Sequence, residues 1–127
     1  MEYHPFHFEL ARKLIRHKVK GHYWLELTVD DRISIAQELK FKISESYCKR
    51  ILNENGKTPE TLDKKILDAL TVYIGYKSWN DFMIKNPLSL KLYHHLKKPG
   101  NEKQLERHVN SRIKELLTVQ TEMEFAE

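Results

Sequence analysis

IAQELKFKISESYCKRIL, residues 35–52, holds two short amphipathic segments on either side of a lysine-flanked turn. In the first, Ile35, Ala36 and Leu39 recur at helical spacing and form one inner face. Ala36 is small enough to let a second helix cross closely over it. In the second segment, Ser44 supplies the short side-chain oxygen that an N-cap needs to accept a free backbone N–H. The helix it starts turns Tyr47, Cys48 and Ile51 inward and Glu45, Ser46, Lys49 and Arg50 outward. Two helices joined by so short a turn read as a helix-turn-helix. In that motif the second helix enters the major groove of duplex DNA by its N-terminal half, where polar and basic side chains reach base edges and phosphates. Lys42, Ser44, Ser46, Lys49 and Arg50 have that chemistry, whereas Glu45 favours the helix dipole or a cytosine amino group.

Downstream, NENGK is a turn and Thr58-Pro59 opens a longer helix, a cap hydroxyl followed by proline at the first helical position. Its apolar stripe is Leu62, Ile66, Ala69, Leu70, Tyr73 and Ile74, and Gly75 stops it. Ser78 and Asp81 form a cap pair for a short helix carrying Trp79 and Phe82. An aromatic pair three residues apart beside an apolar helix is expected in the core rather than stacked on a base.

Upstream, Phe8, Ala11, Leu14, Ile15 and Val19 place a first helix before Gly21. Between Leu10 and Leu25 the chain has Arg12, Lys13, Arg16, Lys18 and Lys20 and no carboxylate. Such a block either solvates one helix face or meets phosphates; Arg12, Arg16 and Lys20 are the candidates for backbone contacts. HYWLELT, aromatic and partly alternating, fits a strand or an extended connector and is read as a connector, and Thr28 with Asp31 caps a second helix over about Val29–Leu39.

ISESYCKRIL followed by TLDKKILDALTVYIGYKSWNDF resembles the helix-turn-helix region of many small Bacteroidetes proteins, itself similar to the lambda repressor or XRE type. The likeness spans roughly residues 33–85. Lys40, Phe41 and Lys42 stand where the compact motif has a single glycine. The resemblance implies an all-α fold and binding to double-stranded DNA, with transcriptional regulation as the simplest role.

Beyond it, Asn86-Pro87 is expected to cap a helix through Leu88, Leu92, Tyr93 and Leu96. KKPGN breaks that helix before a last one with an apolar seam of Leu105, Val109, Ile113, Leu116 and Leu117. The seam fits packing on the body, or a homodimer or protein partner reached through Leu105, Val109, Ile113 and Leu116. The terminal TEMEFAE is acidic and expected to be frayed or partner-bound.

The length of 127 residues suits one domain. Within it, residues 1–98 form the helix-turn-helix-containing helical body and 99–127 an amphipathic helix with an acidic tail. The body has 18 basic and 12 acidic residues and the tail 4 and 6, so a body of +6 and a tail of −2 make up the net charge of +4. With 40% hydrophobic residues and no apolar run of membrane length, no membrane association and a cytoplasmic location are expected. Cys48 is the sole cysteine, which excludes a disulfide within one chain.

No phosphate loop, HExxH or nucleophile elbow is present, so neither an enzyme nor a cofactor is expected. His4, His7, His94 and His95 invite a metal site, but adjacent helical residues such as His94 and His95 diverge, so no metal is expected. The alternative class is a protein-interaction adaptor or a small subunit of a larger nucleoprotein complex, of a mobile element or a defence system.

Overall fold

A computed structural model describes residues 4–39 and 64–125, with side chains as far as 118. The described residues are all-α, as expected: α1 (Pro5–Lys20), α2 (Val29–Glu38), α3 (Lys64–Tyr73), α4 (Trp79–Lys85), α5 (Leu90–Lys97) and α6 (Glu102–Phe125). HYWLELT is a connector with no strand. The ISESYCKRIL helix, the NENGK turn and the Thr58-Pro59 helix start lie outside the described residues.

The chain groups into two compact units, residues 1–10 with 88–127 and residues 11–87. In the first of these α5 packs on α6, with the Pro99-Gly100 break between the two helices.

In the unit of residues 11–87, α3 packs against α4. Leu67, Leu70 and Thr71 are buried, one position round from the stripe expected through Tyr73 and Ile74, both only partly covered. Thr71 tolerates this position because its hydroxyl bonds back to the carbonyls of Leu67 and Asp68, both at 2.9 Å. Gly75, at φ 100°, closes α3: its N–H reaches the Val72 carbonyl (3.0 Å) and the Tyr76 N–H reaches that of Thr71 (2.9 Å). That pair of bonds is a Schellman motif, whose left-handed residue glycine adopts without Cβ strain.

Tyr76 then meets Phe82 edge-on with centroids 4.9 Å apart, and Trp79 lies 5.5 Å from Phe82. Trp79 and Phe82 are fully buried, as expected for a core pair. The carboxylate of Asp68 accepts the Trp79 N–H at 2.9 Å, tying α3 to the first residue of α4.

Asn86 is the end of α4 and not the cap of α5: its side-chain amide donates to the Phe82 carbonyl at 2.8 Å. The cap of α5 is Ser89, whose hydroxyl accepts from Leu92 N–H at 3.2 Å. Asn and Ser are both good caps; Asn86 was already committed one turn earlier.

In the other unit, Leu96 of α5 and Val109 and Ile113 of α6 are buried. α6 continues as helix to Phe125, through most of the TEMEFAE segment expected to fray. His4 sits just before α1, buried, with Nδ1 accepting the Phe6 N–H at 3.0 Å and Nε2 bonded to the Tyr93 carbonyl at 2.8 Å. Those partners select the neutral Nε2–H tautomer. Burial pushes the pKa of His4 down and Lys97 adds to this, while the Tyr93 bond opposes it. A proton on Nδ1 would also remove the acceptor that holds the start of α1.

Candidate nucleic-acid interface

Lys42, Ser44, Ser46, Lys49 and Arg50 lie outside the described residues. What the structure describes is the platform before them. α2 begins with a complete capping box. Thr28 Oγ1 accepts the Asp31 N–H (3.2 Å), and Asp31 Oδ2 accepts the Thr28 N–H (2.8 Å). Ile35 and Ala36 are its buried residues and Leu39 is half-buried, which is the inner face expected from the sequence.

The basic first helix differs from expectation. Leu10, Ala11, Arg12 and Lys13 occupy four successive positions, which at about 100° per residue cover the whole circumference of a helix, and all four are buried. Arg16 is buried too. Arg12, Lys13 and Arg16 each have interaction partners; the Lys13 ammonium, for instance, lies 5.9 Å from the centroid of the Tyr23 ring. Arg12 and Arg16 thus sit in the interior rather than on a solvated helix face. The apolar residues of α1 are too numerous for a one-sided stripe: Phe6, Phe8, Leu10, Ala11 and Ile15 are each buried.

Lys20 is half-buried and engaged with Asp31 at 2.7 Å. Burial raises the pKa of Asp31, but hydrogen bonds from Lys20 and Thr28 outweigh it, and the carboxyl stays below the ordinary range. Lys18 is fixed as well, its ammonium 3.9 Å from the centre of the Tyr73 ring and donating to the Tyr73 carbonyl. Burial, then Glu38 and Asp31, push the Tyr73 hydroxyl up. The basic block works largely as internal scaffolding that ties the end of α1 to α2 and α3.

The connector between α1 and α2 carries an aromatic cluster. His22 and Trp24 stack with centroids 4.5 Å apart at 28°, and Tyr23 meets Trp24 edge-on at 5.0 Å. Trp24 is 61% exposed. The available signal was a tryptophan in a segment without helical periodicity, where no inner face exists to receive it. In the possible partner seam, Val109 and Ile113 are completely buried within the chain, and Leu105 and Leu116 are half-buried.

Among the described residues, no three His, Cys, Asp or Glu side chains come together as a metal site, and no helix is long and apolar enough to cross a membrane. No family model, curated protein or solved structure matches this chain.

Proposed function

We propose that the protein is a non-catalytic binder of double-stranded DNA, acting in transcriptional regulation through the helix after Ser44. The observation that carries this reading is the run KFKISESYCKR directly after the capped helix α2, whose Ile35–Ala36 face is buried as the first helix of a helix-turn-helix requires. Lys42, Lys49 and Arg50 neutralise phosphates, which supplies most of the affinity, and Ser44 and Ser46 stand where base edges are read. With Arg12 and Arg16 buried and Lys20 paired to Asp31, the phosphate contacts fall to the 40–50 segment.

The test is binding to a mixed duplex pool across a salt series, with the retained DNA sequenced. The expected result is a log–log salt slope of about 0.9 per phosphate contacted, together with an enriched motif. A Lys49→Glu, Arg50→Glu protein that binds as well as the parent sinks the proposal. A second reading, an adaptor or small subunit in a larger nucleoprotein complex, is favoured by the apolar side chains exposed around α2.

A further inference from the structure

Among the described residues, seven large apolar side chains are exposed, and four of them, Trp24, Leu25, Val29 and Ile33, fall within one ten-residue stretch. Val29 and Ile33 are one turn apart on the same side of α2. They lie outside the buried Ile35–Ala36 face, so they are not part of the core that α2 completes. The connector is built to hold Trp24 outward: His22 stacks on its ring, Tyr23 packs against its edge, and the Leu25 N–H closes a turn onto the His22 carbonyl at 3.3 Å. A concentration of this kind, with an indole at its head, is the composition of a protein-binding surface.

Charge says what covers it. The chain as a whole is basic, at +4, but residues 21–38 contain four carboxylates and one arginine. Glu26 and Asp30 are exposed beside the apolar positions, Asp31 is taken by Lys20, and the Arg32 guanidinium donates to the Leu27 carbonyl at 3.1 Å. An acidic border repels phosphate and anionic lipid and attracts a basic group. We propose that the Trp24–Ile33 surface docks a basic amphipathic segment of a partner protein. The apolar face of that segment covers Trp24, Val29 and Ile33, and its Lys or Arg side chains reach Glu26 and Asp30. This surface is separate from the residues proposed for DNA, and it stands or falls without them.

The full chain is titrated with a synthetic amphipathic helix of Leu and Lys and, in parallel, with its Glu-for-Lys counterpart, following tryptophan emission. Trp79 is buried, so a blue shift on binding reports Trp24, and Trp24→Phe should abolish it. The Lys helix is expected to bind and the Glu helix not. Trp24→Ala, read by the anisotropy of a fluorophore on the Lys helix, should weaken binding by about thirtyfold or more, the loss typical of a central aromatic anchor. Ile33→Ser should weaken it as well, and Glu26→Lys with Asp30→Lys should reverse the preference to the Glu helix. All of these positions are exposed, and unchanged circular dichroism with an unchanged urea midpoint confirms folding. Lys49→Glu, Arg50→Glu should bind the Lys helix normally, which separates this surface from the DNA reading. The proposal is overturned if neither helix binds, if both bind equally, if a DNA duplex shifts Trp24 and displaces the peptide, or if the shift grows with protein concentration alone.

Discussion

Helices α2 and α4 begin with the same local device and end up in opposite environments. Thr28 and Ser78 are their caps, Val29 and Trp79 their first residues, and Asp31 and Asp81 stand three positions after the cap. Ser78 Oγ accepts the Asp81 N–H at 3.1 Å as Thr28 accepts that of Asp31, although Asp81 reaches back to the Lys77 N–H (3.0 Å) and not to its own cap. Yet Val29 is 54% exposed and Trp79 is 1% exposed. Capping satisfies backbone donors within four residues and is indifferent to what the helix packs against. Whether the apolar first residue is buried depends on a partner: for Trp79 this is Phe82, with Asp68 of α3 accepting its N–H.

The comparison breaks first at those two residues. Trp79→Ala should destabilise the unit of residues 11–87 by about 3–5 kcal/mol in urea unfolding, because it leaves a large cavity. Val29→Ala should stay within about 0.5 kcal/mol, as exposed substitutions do; a cost like that of Trp79→Ala would mean that Val29 is covered in the folded chain.

Removing the tertiary tie comes next. Asp68→Ala leaves the Trp79 N–H without its carboxylate acceptor and is expected to cost about 1–3 kcal/mol by the same measurement. The caps should then prove equivalent, with Thr28→Ala and Ser78→Ala each costing about 1 kcal/mol. A much smaller loss at Thr28 would mean that α2 draws its stability from elsewhere.

The smallest effect is in acid. The Lys77 N–H, in the lead, and then Lys85 hold the carboxyl of Asp81 below its ordinary value, as Lys20 and Thr28 hold Asp31 against the opposing effect of burial. Both groups are more acidic folded than unfolded. Their contribution is therefore complete above the unfolded value of about 3.9 and lost as the pH falls through the depressed folded values. Asp31→Asn and Asp81→Asn should each flatten the decline of the urea midpoint below about pH 4.

Much of this was legible because it is local. Thr28–Asp31 and Ser78–Asp81 marked helix starts, Gly21 and Gly75 marked helix ends, and helical spacing picked out Ile35 and Ala36 as an inner face. Asn86 and Ser89 show where local signals compete: both can cap, and only the bond from Asn86 back to Phe82 assigns them. The candidate interface was less legible. A run such as Arg12, Lys13 and Arg16 looks like a solvated face because charge usually is one, and nothing along the chain announces that these three are buried. Trp24 carries no local mark of its exposure, because exposure is a property of what fails to pack on it.

The sequence by itself determined an all-helical chain, its capping devices and its basic balance, since propensity, caps and charge act over a few residues. Only the tertiary structure decided that Arg12, Lys13 and Arg16 of α1 are buried, that α5 and α6 group with the first ten residues, and that Trp24, Val29 and Ile33 are left open. Burial is a relation between segments distant in sequence, and no pattern within one segment records it.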